Sequence, residues 1–471
     1  LRARDPIAAT ILALALDLAL GGQPPSSAHL ELLASAVECA ARANDGLLEA
    51  RARHARARGE RLIGAARHAT RDLRLALVLA RAGGAARVEA DVLRLLGVVS
   101  RQLSRPWRAR PLLEGALAIY QAERSTEGAA RVLDDLGVVA HDLGELTDAR
   151  DLYERALVLE RLAGDQRFEG ITLGHLGLVA HDLGDLAGAE ARYREALACH
   201  RATDDRRFEV FAHAFLAAVM LERGDLDAAR LSVAAATTID ARLGDSDSGV
   251  VLAGVECALH AAAGDIVACG ERLARARADL AQRDDEALRR VLDVFGASLA
   301  IAQARRARAE ERREEADARL ATARAVVTPG TPPRCIEERL ARRVVGHLLA
   351  LALGARPAPV FVEDGSWFVG EGGRVSLATR RALALMLARL AQERRAAPAR
   401  SVSLDALFRA GWPGEHVPEA SARRRVYVGI DTLRSLGLRE AILQREHGYF
   451  LAPSVAIAAR RPPADPARRR S

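Results

Sequence analysis

Residues Leu136–Ala156 read LGVVAHDLGELTDARDLYERA, and forty positions later Leu176–Ala196 read LGLVAHDLGDLAGAEARYREA. The spacing extends both ways: Ala76, Ala116, Ala156, Ala196, Ala236 and Ala276 stay in phase, as do Gly64, Gly144, Gly184, Gly224 and Gly264, with Ser104 the one exception. Phase kept over about two hundred residues is the signature of stacked units that bury their apolar faces only against one another. Each unit holds two apolar patterns of helical period around a Gly-Asp/Glu-Leu turn, as at Gly144-Glu145-Leu146, Gly184-Asp185-Leu186 and Gly224-Asp225-Leu226. Two antiparallel helices per unit follow, and the chain is expected to be a mostly α solenoid of helix-turn-helix repeats.

The signatures Leu136-Gly137, Ala149-x3-Tyr153 and Ala156 return as Leu176-Gly177, Ala189-x3-Tyr193 and Ala196. They resemble the tetratricopeptide repeat in a long-period form. Gly137 and Gly177 leave room for close helix approach where Ala156 and Ala196 pack on the next helix. Outer units are degraded: Leu216-Ala217 keeps the pattern and Glu256-Cys257 does not. The array is placed at residues 44–325, with N-terminal helices over 1–43 as a decayed repeat or the remnant of an upstream domain. The start at Leu1 suggests a processed or truncated product.

With 471 residues, half of them apolar, the chain can bury more than one core. All 69 basic residues are arginine, an abundance that a GC-rich genome explains without arginine-specific chemistry. Charge is unevenly spread. Pro357–Ser471 holds 19 Arg against 11 Asp and Glu, a net +8, while the whole chain carries +7, so the remainder is close to −1. A polyanion partner is therefore sought at the C-terminal end. The five cysteines form no Cys-x2-Cys pair, and Cys257 falls on the register position of Gly137 and Gly177, which suits packing in a reducing cytoplasm. The apolar run Ile7–Leu20 is broken by Asp17 and is too short to span a bilayer, so no membrane partner is expected.

Beyond the array, Arg305–Arg319 mixes Arg and Glu as a solvated capping helix would, and Thr328–Pro333 reads as a linker. Residues 326–358 comprise this linker and a connecting amphipathic helix, Ile336–Gly354. The pattern then changes. Val360–Val362 and Trp367–Val369 flank Asp364-Gly365 as a hairpin, and Arg374–Leu377 forms a third strand. Helical periods cover Ala382–Leu390, Leu404–Phe408 and Ser421–Leu436, and a last hairpin turns at Gly448. Over about Val360–Ala452 this order resembles the effector domain of OmpR/PhoB-type response regulators, a winged helix-turn-helix. The likeness rests on Val375–Thr379, Leu404-x2-Leu407 with Trp412, Val426-Tyr-Val-x-Ile430-x2-Leu433-Arg434, and Gly448-Tyr449-x-Leu451. The expected plan adds a small C-terminal α+β winged-helix domain at 359–455 and a disordered basic tail at 456–471.

The winged-helix resemblance implies a third helix in the major groove and a wing at the minor groove. Val426, Ile430 and Leu433 take the core face, leaving Arg423, Arg424, Tyr427, Asp431, Thr432, Arg434 and Ser435 outward and Arg425 at the edge. The DNA-contacting set is thus Arg423, Arg424, Arg425, Tyr427, Thr432, Arg434, Arg445 and His447, where arginines meet phosphates or guanine. Gly429 and Asp431 depart from the basic or amide residues common in that family, which favours a protein-docking module as the alternative. In the array, the repeat resemblance places Arg101, Gln102, Arg131, Asp134, His141, Asp142, His181 and Asp182 on a concave groove for a protein or peptide partner. A metal site from the two His-Asp pairs is set aside because equivalent residues of adjacent repeats stand too far apart to share an ion. With no lysine there is no Gly-x4-Gly-Lys loop, and neither His-Glu-x2-His nor Gly-x-Ser-x-Gly occurs. No cofactor and no catalysis in this chain are expected. The reading is a cytoplasmic, bacterial-type transcriptional regulator. The alternatives are an interaction scaffold and a fragment of a larger kinase or nucleotide-hydrolysing signalling protein.

Overall fold

The computed structural model describes residues 11, 13–14, 26–243, 247–281, 285–327, 333–353, 360–362, 365, 367–370, 373–377, 379–397, 400–438, 441–445, 448–452, 455 and 457–458. The basic tail beyond Ala458, most of the run Ile7–Leu20, nearly all of the 328–333 linker and His447 lie outside them, whereas Ile457–Ala458, expected in a disordered tail, form a strand. The array runs through α1 (Ser27–Arg42), α2 (Gly46–Leu62), α3 (Ala66–Ala82), α4 (Ala86–Gln102), α5 (Pro106–Ala122), α6 (Thr126–Leu143), α7 (Leu146–Ala163) and α8 (Gln166–Asp182). It continues with α9 (Leu186–Ala202), α10 (Arg206–Glu222), α11 (Leu226–Leu243), α12 (Asp247–Ala263), α13 (Ile266–Ala281), α14 (Glu286–Ala309) and α15 (Arg313–Val327). α1 packs on α2, so the helical stack begins ahead of residue 44.

The turns recur every twenty residues. Asn44, Gly64, Gly84, Ser104, Arg124, Gly144, Gly164, Gly184, Asp204, Gly224 and Gly264 all have positive φ, the left-handed geometry that closes a helix C-terminus. The next residue often caps the following helix: Asp45, Ser125, Asp165, Asp185 and Asp205 each accept a bond from a backbone N–H in the first turn. Inside the units, the ring of Tyr153 lies where a Cβ on Gly137 would be 2.5 Å from it, and Tyr193 stands 2.4 Å from the same point on Gly177. Glycine there is what admits a fully buried tyrosine. In the later unit Cys257 and Cys269, 120 residues beyond Gly137 and Ala149, are wholly buried side by side.

The even-numbered helices form the inner face. Along it lies α16 (Ile336–Ala352), expected as a connector. It runs parallel to α14, as Arg334–Glu286, Arg290–Glu338 and Arg308 to the Ala352 carbonyl oxygen fix its direction. Its other side touches α12, α10, α8 and α6. Ile336, Leu340, Val344, Val345, Leu348 and Leu349 are buried in the same apolar cluster as Leu178, Leu216 and Leu292. Each such aliphatic side chain contributes about 1.5–3 kcal/mol relative to exposure. Thus α16 is a helix of the core as well as a link.

The C-terminal unit comprises β1 (Val360–Val362), β2 (Trp367–Gly370), β3 (Gly373–Ser376), α17 (Arg381–Ala396), β4 (Val402–Ser403), α18 (Leu404–Gly411), α19 (Glu419–Leu433), β5 (Ile442–Arg445), β6 (Gly448–Leu451) and β7 (Ile457–Ala458). One sheet has the order β3-β2-β1-β7, with β7 parallel to β1, and the other has β4-β6-β5. Val426, Ile430 and Leu433 of α19 pack on Met386 and Leu407. Gly429 is explained by Met386, whose sulfur would sit 3.0 Å from a Cβ there. Among the described residues no helix is long and apolar enough to cross a membrane.

Candidate functional site

The inner helices α4, α6, α8 and α10 end on the same register. Arg101, His141 and His181 stand forty residues apart, and each reaches forward to a carboxylate of the next unit: Asp142 at 3.4 Å, Asp182 at 2.9 Å and Glu222 at 2.9 Å. Asp142, Asp182 and Glu222 are themselves forty apart, so the pairs form a ladder. Glu222 belongs to this set although the sequence reading omitted it, and its register with Asp142 and Asp182 is the signal that could have found it. The ladder ends there because Leu221 and Ala262 occupy the next positions.

α16 covers the ladder. Arg339 lies 3.4 Å from Asp182, and Arg343 lies 2.8 Å from Glu222 and also donates to the Asp182 backbone carbonyl. His141 and His181 are at most 1 % exposed. Asp182 and Glu222 therefore hold two partners each, a histidine from the preceding repeat and an arginine from α16. Asp142 does not: α16 presents Glu337 there. Burial pushes Asp142 up to about 6, against the pull of Arg101, and the charge of Glu337 adds to the rise. At Glu222 burial works in the same upward direction, but Arg343 and His181 overcome it and hold the carboxyl down to about 2.

The other expected groove residues have local partners. Asp134 is buried, accepting from Thr172 at 3.0 Å and pairing with His175 at 2.8 Å. Thr172 is also 2.9 Å from Glu160, whose carboxyl is driven to about 8 by burial and by Asp134. Glu160 is thus protonated at neutral pH, and one hydroxyl can serve both acids. Arg131 pairs with Asp165 at 3.3 Å and lies over the Phe168 ring at 4.5 Å. Gln102 is half-buried at the end of α4. The structure thus brings Arg101, His141, Asp142, His181 and Asp182 together beneath α16, while Arg131 and Asp134 belong to separate contacts. A small apolar pocket of about 60 Å³ remains between Phe208, Phe211, Phe215 and the start of α16. Among the described residues no group of three or more His, Cys, Asp or Glu is placed to hold a metal ion.

The turn after α8 also carries the C-terminal unit. Arg394 donates to the backbone oxygens of Leu183 and Ala452, Ile457 N donates to Gly184 O at 3.3 Å, and Arg395 stands 3.9 Å from Asp185. Burial lowers Arg394 to about 10, with Arg343 reinforcing the effect. Four consecutive residues, Asp182–Asp185, thus meet α16 on one side and the C-terminal unit on the other.

The outward face of α19 differs from expectation. Arg423, Arg424 and Tyr427 are exposed, as is Arg445 on β5. Arg423 pairs with Glu419 at 2.6 Å, and Arg425 pairs with Glu415 at 2.5 Å beside the Trp412 ring. Arg434, expected to point outward, instead donates to Ile442 O at 2.8 and 3.1 Å and lies over Tyr449 at 5.3 Å. Arg434 caps α19 with helical backbone angles, and the kink at Gly437 (φ 114°) turns the chain so that β5 comes within reach of its guanidinium. Thr432 spends its hydroxyl on Val428 O at 2.7 Å. A cleft of about 660 Å³ separates α18, α19 and the β5–β6 hairpin, lined by both signs of charge.

Residues 88–159 match the tetratricopeptide repeat. No curated protein sequence matches the chain. Among solved structures, a Rap protein complexed with competence and sporulation factor has a TM-score of 0.50 at 17 % identity, over 64 % of this chain and 80 % of that one. Aspartyl phosphate phosphatase F from Bacillus subtilis gives 0.49 at 14 %, over 63 % and 75 %. The apo quorum sensor NprR from B. thuringiensis gives 0.48 at 14 %, over 68 % and 87 %. The likeness at these identities is one of fold, that of an α-solenoid, within which residues 88–159 carry the tetratricopeptide-repeat match.

Proposed function

We propose that the chain is a transcriptional regulator whose repeat array takes a protein or peptide partner on its inner face and whose C-terminal unit, a winged helix of the OmpR/PhoB kind, binds double-stranded DNA. The partner half draws on the charged ladder of the inner face, and on the fold shared with a Rap protein complexed with competence and sporulation factor. The DNA half rests on one observation: α19 turns Arg423, Arg424 and Tyr427 to solvent, with Arg445 on the adjoining hairpin, while the array contacts come from α17 and β7. A cytoplasmic location follows from this reading.

A fluorescence-anisotropy titration of the full chain against mixed duplexes tests the DNA half. Affinity is expected to fall steeply with salt, each neutralised phosphate adding about −0.9 to the log–log slope. Arg423→Glu with Arg424→Glu and Arg445→Glu should abolish binding. Salt-independent affinity, or affinity that survives the triple change, rejects it. A second reading, an interaction scaffold, is favoured by the acids of the same elements: Glu419 pairs with Arg423, Glu415 with Arg425 and Asp405 with Arg409, and Asp431 is exposed on α19. It predicts partner capture by the array with no duplex association.

A further inference from the structure

Gly137, Gly170 and Gly177 each abut a ring, of Tyr153, His200 and Tyr193, that an added Cβ would meet at 2.5, 2.7 and 2.4 Å. Gly174, in the middle of α8, has no such reason. A Cβ there would find nothing within 4 Å, and its φ is not positive. Asp134 and Ala214, forty residues to either side, carry side chains at this register position. Since glycine in a helix interior is less stable than alanine, α8 sacrifices stability at Gly174 and leaves open space on the inner face. That space is the pocket of about 60 Å³ between α8, α10 and the start of α16. Half-buried Ile171, Phe208 and Phe211 wall it together with buried Phe215. His200, 2 % exposed, stacks on Phe208 at 5.5 Å, and burial lowers it to about 4, so it adds an uncharged ring. His175 also lines the pocket and is held through Nδ1 by Asp134 at 2.8 Å. Half-buried Glu337 lines it too, and its carboxylate makes no hydrogen bond or ion pair among the described residues. Water between such walls has few polar partners, so an apolar group that displaces it is favoured.

We propose that the Gly174 pocket receives the branched aliphatic side chain of a peptide partner, with an adjoining basic group that pairs with Glu337. The proposal rests on the reading of the array as a partner-binding surface. Volume and charge select the occupant. A space of about 60 Å³ is roughly twice one water's share of the liquid, about 30 Å³, which suits the end of an isobutyl group and not a fused ring. An acidic group beside that side chain would meet Glu337 and be repelled, whereas a basic one supplies the partner its carboxylate lacks.

Saturation-transfer NMR on the full chain tests this with 3-methylbutylamine and 4-methylpentanoate, which share a branched end and differ in charge. The amine should bind about fivefold more tightly than the acid, and Glu337→Gln should remove that preference. Gly174→Leu should fill the pocket and abolish both signals with helical circular dichroism retained. Gly174→Ala should raise the urea midpoint, since the added methyl enters open space. Acetyl-Leu-Arg-amide and acetyl-Arg-Leu-amide distinguish a peptide from a free amine, and at least one should bind about tenfold more tightly than 3-methylbutylamine. Absence of binding, equal binding of amine and acid, or binding that survives Gly174→Leu overturns the proposal. So does a Gly174→Ala chain less stable than the natural one, or amine binding with no gain for either peptide. A partner captured equally by the natural and Gly174→Leu chains removes this pocket and leaves the partner-binding reading of the array standing.

Discussion

Asp142 and Glu222 occupy the same place in two repeats eighty residues apart, yet one carboxyl is raised to about 6 and the other held at about 2. Asp142 is buried and the Glu222 side chain is only 6 % exposed, and each meets a partner from the preceding unit, Arg101 or His181. What separates them is α16, which sets Glu337 before Asp142 and Arg343 before Glu222. In a repeat protein the periodic residues give a row of equivalent sites, and a single non-periodic element makes them unequal.

The largest way to break this comparison is to empty the stronger rung. Glu222→Ala leaves His181 and Arg343 without their shared acceptor, and removal of one partner from a buried pair costs about 3 kcal/mol. Urea unfolding of the full chain should show that loss, whereas Asp142→Asn should not destabilise at pH 7. Next in size is a pH effect of opposite sign at the two rungs. Asp142 has its folded value raised above the ordinary aspartate range, so its ionisation opposes the folded state and stability should rise as pH falls from 7 to 5, by about 1 kcal/mol. The groups that face it are Arg101, His141 and Glu337. The gain should vanish in Asp142→Asn. Glu222 is depressed, so its contribution is complete above its ordinary value and is lost as pH falls from about 4.5 towards 2. A smaller change sharpens the contrast: Glu337→Gln removes a like charge from Asp142 and an opposite one from Arg101, so the net change at pH 7 should stay below about 1 kcal/mol. Smallest in global stability is Arg394→Gln at the turn that follows Asp182. It should leave the array's unfolding midpoint in place while the Ile457 amide, bonded to Gly184 O, exchanges with solvent faster.

The repeat was legible because glycine and alanine must return wherever helices close up, as at Gly137 and Gly177 beneath Tyr153 and Tyr193. The finer twenty-residue rhythm of turns was half hidden. Asn44, Ser104, Arg124 and Asp204 adopt the same positive φ as the glycines, a conformation that Asn and Asp take readily and that the stacking imposes on Ser104 and Arg124. Glu222 escaped notice because it follows Leu221, not a His-Asp pair, although its function in the ladder is the same. The place of α16 could not be read at all: an amphipathic pattern says that one face is buried but not against what. In the C-terminal unit the order of strands and helices was visible from local signals, while the return of β7 beside β1 is a non-local parallel pairing with no local mark. Arg434 was misplaced because helical counting gives the direction of a side chain but not the kink at Gly437 that brings β5 back against it.

The claim on which the rest depends is that Arg343 of α16 meets Glu222 on the inner face. A double-mutant cycle over Glu222→Gln and Arg343→Gln in the full chain measures it directly by urea denaturation. A coupling of at least about 1 kcal/mol is predicted, with the double variant less damaged than the sum of the singles. Strict additivity of the two losses would place α16 elsewhere and contradict the account.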